Sequence, residues 1–457
     1  MSEHVEAPQD APNEAPVAPR RRSRNNRGGS AQQGVAVLLV IACLAILAPF
    51  TASFNFQAQV DWQSSINVRD EVTARQIQRG AARLSLLLFE VQRMVFNQKQ
   101  FRDMVGNMDI TQVAPYLMSV FGTEEGAEGL GALVGLDTTA LSDLAVSGGT
   151  FEYRVTAESG KININCLAVQ GDLSKEDTDN PAGRVTETVE ALMLPTLYDP
   201  FFEEQKADGQ YYTRSDIIRA MADYIDTDTY IFDLVRLRSS SSRPENYRYQ
   251  QLFDAYQERN HLLDSVEELH LVEGIDDDWM SAFSHELTVY GGCKVNLNFA
   301  SAEQIALVLR HAVSAEDKWK TEGENFLLKT LPLANYIIES REFSLFKDLN
   351  AFKELVQQPD QFMSPLAALG GADADEVQNL PRIPEGMEVR VNGGPREDGT
   401  RFGGLSDVAT VLPEHVYRVE VITEVGAVKK RLTAVYDMKY KRSQSQGQGA
   451  WLYLREE

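Results

Sequence analysis

Between Val35 and Phe54 the chain runs for twenty residues without a formal charge, about the ~20 residues that a helix needs to cross a hydrocarbon layer. No other stretch can do so. Just ahead of it Arg20, Arg21, Arg22, Arg24 and Arg27 cluster, and no comparable group follows closely. Positive charge stays on the cytoplasmic side, which puts the arm in the cytoplasm and everything after Phe54 across the membrane. Met1 to Gly34 is rich in Ala, Pro, Asn, Gly and Arg and has no apolar periodicity, the composition of a disordered arm. A secretory signal would have a shorter apolar core ending in a small-x-small cleavage site, and "APFTASF" keeps that alternative open.

Helical patterning continues past the apolar run. Ile77, Ala81, Leu84, Leu88, Val91 and Val95 recur in steps of three and four, with Arg75, Gln78, Arg79, Arg83 and Gln92 on the other faces. One long helix is expected over 35–105, apolar all round at first and amphipathic later. At 457 residues the chain is too long for one small core. Its 43% hydrophobic and 24% charged content is that of a folded protein. A net charge of −23 repels nucleic acid and anionic lipid and tolerates divalent cations. Three cysteines, Cys43, Cys166 and Cys293, make neither a disulfide framework nor a zinc spacing.

Beyond the helix, Phe151, Tyr153 and Val155 alternate with Glu152, Arg154 and Thr156, which predicts a half-buried strand; Ser159-Gly160 turns, and Ile162 and Ile164 continue in a second run. "KININ" at Lys161 has an echo in "KVNLN" at Lys294. The two are either a coincidence of short strands or the exit from and return to one domain that brackets an insertion. Between them the pattern is helical. Ile217, Ile218, Met221, Tyr224 and Ile225 share a face of "TRSDIIRAMADYIDTD". Ser265 with Glu268, and Ser301 with Gln304, have the spacing of capping boxes, and Gly274 ends the first of these helices. Farther on, "FSLFKDLNAFKELV" is amphipathic and "GGADADEVQNLPRIPEGM" is a loop by composition. "VYRVEVITEVGAVKKRLTAVYDMKY" is a β-hairpin about Gly426 that would complete the sheet begun at Phe151.

A basic leader ending in Gly34, an apolar helix starting at Val35 and an amphipathic continuation resemble a type IV pilin-like prepilin. "SGKININCLA", "DIIRAMADYIDTD", "YQERNHLLDSVEELHLVEGI" and "CKVNLNFASAEQIALVL" narrow this to the minor pseudopilin K family of type II secretion systems, over Gly34 to about Val308. The resemblance implies cleavage after Gly34 and methylation of Val35. Most prepilins carry Glu at the fifth position after the cut; here it is Leu39, as is typical of the K branch. "SSSSRPENY" departs from the family pattern, with only Glu245 and Tyr247 matching. The implied fold class is α+β: a long N-terminal transmembrane and amphipathic helix and a pilin-like antiparallel sheet, interrupted by a large all-α insertion with a helix-hairpin-helix-like part. The expected division is leader 1–34, helix 35–105, first α/β part 106–167, mainly helical insertion 168–385 and C-terminal strands 386–457. Implied partners are the I- and J-type minor pseudopilins, prepilin peptidase and the inner-membrane secretion platform, with no nucleic acid. The implied location is the inner membrane, single-pass, the bulk periplasmic.

No catalytic constellation emerges: His285-Glu286 would open a zinc-protease motif, but Val289 stands where its second His belongs. An enzyme is not expected. Asp223 and Asp226 share a helix face, and a helix end near Asp228 would converge three carboxylates, a donor set for a hard cation such as Ca²⁺. The bland alternative is a solvated acidic helix end. The family includes calcium binders, and Glu245 is a further candidate ligand. Cys166 and Cys293 adjoin the echoing strands and are either disulfide partners in an oxidising compartment or small buried hydrophobes. The remaining alternatives are a membrane-anchored periplasmic helix-hairpin-helix protein of the DNA-uptake type and a plain anchored stalk.

Overall fold

The computed structural model describes residues 30–114, 150–168, 180–234, 237–245, 249–251, 255–314, 323–342, 344–359, 380–383, 387–395, 401–441 and 449–457. Most of the leader, Tyr247 and much of the predicted 370–387 loop lie outside them. The chain divides into two units, Met1–Val68 and Arg69–Glu457. In the first unit the described residues belong to helix α1 (Ser30–Val91), and its side chains are exposed from Gly34 to Ser65. By length and composition this helix can cross a membrane.

In the second unit, the later part of α1 lies on an antiparallel sheet. Of the stripe read from the sequence, Ile77, Ala81, Leu84, Leu88 and Val91 are buried and Val95 is half-buried; the buried Ala74 extends it one turn earlier. The helix is shorter than expected. After Val91 it widens into a π-turn (Gln92–Phe96), breaks, and resumes as α2 (Lys99–Val105). The Gln92 side chain stabilises the break: its Oε1 accepts from the Ile110 amide at 2.7 Å and its Nε2 donates to Asn97 at 3.1 Å.

The sheet is ordered β1 (Thr150–Ala157), β8 (Val416–Val425), β9 (Val428–Asp437), β10 (Ala450–Glu456). Phe151 thus joins the Gly426 hairpin in one sheet, as the alternation predicts. Gly426 turns at φ 58°, and a side chain there would strike Asp70 of α1. Phe89 of α1 stacks against Tyr417 and Tyr436, with ring centres 5.1 and 5.0 Å away. The edge strand β10 has no strong alternation and was not singled out in the sequence.

Where the sheet ends differs from the expected 167 and 386. Ala157 pairs with Tyr417, so the chain leaves and returns through one strand pair. The "KININ" run does not join the four-stranded sheet. Only β2 (Ile162–Asn163) is extended, and a 3-10 turn follows from Ile164. Asn163 Oδ1 accepts from the Asn165 amide at 3.0 Å, a local bond that competes with further strand pairing. Nor do the echoing strands pair with each other. β2 runs parallel to β5 (Leu287–Thr288), and β6 (Val295–Asn296) parallel to β7 (Ala409–Thr410).

The echo is nonetheless structural. In the first copy Asn165 accepts from Leu263 N (2.8 Å) and donates to Leu263 O and Val289 O (3.0 and 2.9 Å). In the second, Asn298 accepts from Phe346 N (2.8 Å) and donates to Phe346 O and Val411 O (3.1 and 3.3 Å). Asn296 Oδ1 accepts from Asn298 N at 3.1 Å, as Asn163 does from Asn165. Each asparagine therefore clamps a helix-start segment to the returning strand of its own copy. Helices α3 (Pro181–Leu192), α4 (Arg214–Ile225) and α5 (Asp277–Phe283) belong to the first copy. α6 (Ala302–Ala312), α7 (Gly323–Arg341) and α8 (Leu349–Gln357) belong to the second. The Ser265–Glu268 box is complete. At α6 only half forms, because Gln304 donates to Glu286 O instead.

Truncating Asn165 to Ala strands three buried backbone groups, and truncating Asn298 two buried and one part-buried, each buried one worth ~1–3 kcal/mol when unpaired. Either variant is expected to lower unfolding stability by about 3 kcal/mol or more, read as a lower urea midpoint. A loss below that of an ordinary surface substitution would show that the clamps are dispensable.

Candidate metal centre

Thr213 caps α4 by a reciprocal pair with Asp216, and Ile217, Ile218, Met221, Ala222, Tyr224 and Ile225 bury its apolar face. Asp223 is in the last turn and Asp226 is the C-cap residue. Acidic side chains there oppose the helix dipole, whose negative end they share. Both are nevertheless buried, at 8% and 2% exposure. The hairpin β3 (Tyr230–Asp233) and β4 (Arg238–Pro244) folds back over them. Its Phe232 amide donates to Asp223 Oδ1 at 2.5 Å, and Glu245, just past β4, is anchored by its amide to Thr229 O at 3.3 Å.

Asp223, Asp226 and Glu245 each offer a carboxylate oxygen within 4.8 Å of the others. Of the four residues named from the sequence, the fold brings these three together. Asp228 stays outside the trio; its Oδ1 accepts from Tyr230 N at 2.8 Å and its side chain is half-buried. Glu258, which the sequence did not suggest, is buried nearby and its charge adds to the repulsion on Glu245. Neither oxygen of Glu245, nor Oε1 of Glu258, has a hydrogen-bond partner among the described residues.

Burial, and next in weight the negative charge of Asp226, push the Glu245 carboxyl up to about 9. Burial raises Asp223 to about 7, opposed in part by the Phe232 amide. Arg219 also lowers Asp223, but that guanidinium is engaged by Asp216. Carboxylates crowded this way are stable only with protons or a cation between them. All donors are hard oxygens, and ligands facing each other across Ca²⁺ at roughly 2.4 Å lie about 4.8 Å apart. The residues fit such an ion, with backbone carbonyls or water completing its shell.

Cys166 and Cys293 form a disulfide, Cα–Cα 5.7 Å, that joins the starts of the two copies. Gly34 lies in α1, and a side chain added there would meet nothing within 4 Å. His285 pairs with Glu286 at 3.6 Å and Val289 is buried in the core, so these residues do not assemble a zinc site.

No family model and no curated protein matches the sequence. Among solved structures, the chain is similar to a chain of the GspK–GspI–GspJ complex of the type 2 secretion system of enterotoxigenic Escherichia coli. The TM-score is 0.40 at 11% identity, over 85% of this chain and 99% of that one. So loose a superposition establishes neither fold nor function, and the fold described above stands on its own strands and helices.

The raised carboxyls fix the sign of a pH effect. Stability from the protonated forms of Asp223 and Glu245 is full below the unfolded carboxyl range and is lost as pH rises through about 7 and then about 9. In chelator the melting temperature is therefore expected to fall from pH 5 to pH 9, and added Ca²⁺ to restore more of it at the higher pH. Glu245→Gln is expected to raise the chelator-treated melting temperature and to weaken the Ca²⁺ response at least about tenfold in half-saturating concentration. An unchanged Ca²⁺ titration would remove Glu245 from the site.

Proposed function

We propose that the chain is a K-type minor pseudopilin of a type II secretion system: a single-pass inner-membrane subunit that forms or caps the tip of a periplasmic pseudopilus. The observation that carries this reading is the path of the chain. A membrane-length helix runs on into the unit that holds a four-stranded antiparallel sheet, and a large body whose regular structure among the described residues is mainly helix is inserted between the paired positions Ala157 and Tyr417. A side body of that size suits a subunit with nothing stacked above it. Leu39 agrees, since a buried carboxylate in the span is costly without a partner charge and a tip subunit has none ahead of it.

In this reading prepilin peptidase cuts after Gly34, Val35 is methylated, and I- and J-type pseudopilins and the secretion platform are the partners. Packing does not require glycine at position 34, which agrees with a peptidase site there. Ca²⁺ held by Asp223, Asp226 and Glu245 would fasten the β3–β4 hairpin to α4. The role is mechanical: assembly of a short filament that moves folded proteins toward an outer-membrane channel.

The DNA-uptake reading finds no support at the Gly274 turn, where backbone amides would have to meet phosphate. There Asp276 caps α5 through the Trp279 amide at 2.9 Å, and Asp277 and Asp278 fill its first turn. Acidic groups repel the ligand such a turn would take.

Intact mass and the amino-terminal peptide of the protein purified from its own membrane test the processing on which this reading depends. A chain beginning at methylated Val35 is expected. Retention of Met1–Gly34 would reduce the protein to an anchored stalk, and a start near Ser53 would mean soluble secretion.

A further inference from the structure

The charge-free part of α1 is longer than the hydrocarbon layer demands. After Arg27 the next charged residue is Asp61. From Val35, the first residue left by a cut after Gly34, to Val60 the helix rises about 39 Å at 1.5 Å per residue, well beyond the ~30 Å hydrocarbon core and into a headgroup layer.

The aromatic residues are placed unevenly along it. From Gly34 to Pro49 there are none; then come Phe50, Phe54, Phe56 and Trp62, interleaved with the uncharged polar Asn55, Gln57 and Gln59. All four rings are exposed, at 67, 72, 69 and 68%. At 100° per residue they point in roughly 0°, 40°, 240° and 120° directions around the axis. A partner helix or groove covers one side of a helix and selects an apolar stripe. Rings on every side, with amides between them and a charge only at the far edge, fit a surrounding medium that is apolar on one side and polar on the other.

We propose that Phe50 to Trp62 is a membrane-interface collar, with Trp62 seated in the outer phospholipid headgroup layer before the subunit joins a filament. The ring of Trp62 lies against glycerol and acyl-chain tops and its indole N–H donates to phosphate or ester oxygen. The membrane contact therefore extends eight residues beyond Phe54. This rests on the membrane-anchored reading above.

The test uses the full-length protein reconstituted into vesicles of phosphatidylethanolamine and phosphatidylglycerol. The chain has four tryptophans, so emission from Trp62 is taken as the difference between wild type and Trp62→Phe; the ring is exposed and the change leaves the fold intact. Lipids brominated near the headgroup are expected to quench that difference emission about twofold or more than lipids brominated near the chain ends, with weak quenching by aqueous acrylamide. If the vesicles carry the protein through flotation but the difference emission is quenched by acrylamide and not by either lipid, the collar is wrong and the anchor stands. If it is shielded from acrylamide and from both lipids, the ring is covered by a second copy of the chain, which also overturns the proposal. Failure to float with the vesicles would overturn the anchor and the collar together.

Discussion

The second unit depends on closing the insertion at one strand pair. Ala157 and Tyr417 lie opposite each other, so about 260 residues must leave and return at a single point, an entropy cost of about 5 kcal/mol on chain-closure scaling. The junction is bonded accordingly. Glu158 N donates to Val416 O at 3.0 Å, and the buried Glu158 carboxylate takes the Arg418 guanidinium and the Thr288 hydroxyl. Ser159 donates from its amide and its hydroxyl to Glu414, itself buried. Burial alone would raise the Glu158 carboxyl, but Arg418 and Lys161 outweigh it and hold the carboxyl below its ordinary range. A charge held this way is costly to leave unpaired, which ties sheet and helical body into one unit.

Beyond the junction the same solution is used twice. Two asparagines two residues apart, a helix-start segment and a short parallel strand make one closed copy, and then another. The side-chain amides do what a long sheet would otherwise do, since strands of two residues cannot hold a crossover alone. The disulfide fastens the two starts together. The first copy holds the acidic centre, where three carboxylates gather at the helix end least suited to them. Nothing in the packing of α4 requires that arrangement; the apolar face is complete without it. The carboxylates bring the β3–β4 hairpin over the helix end only if their repulsion is relieved, so the hairpin's stability is linked to the protonation of Asp223 and Glu245.

How much of this was legible depended on the range of the interactions. The stripe of α1, the cap at Ser265 and the hairpin at Gly426 are set by residues within a few positions of one another, and each reads from the sequence. The "KININ" and "KVNLN" echo was visible, but its meaning was not. The groups that Asn165 and Asn298 bind lie far along the chain, and no local rule says that each strand pairs with a later one. Gln92 also hid its effect, because the amide it binds, at Ile110, comes after the break it stabilises.

The acidic centre divides the same way. Sequence determined that Asp223, Asp226 and Asp228 crowd a helix end, since helical spacing follows from the backbone. It could not rank Asp228 below Glu245, and it gave no sign of Glu258. Only the fold decides which carboxylates lose their water, because burial comes from whatever chain packs over them. The apolar run, by contrast, needed no partner to be understood: an uncharged helix of that length is determined by its own residues, while the insertion's boundaries were decided where two distant strands met.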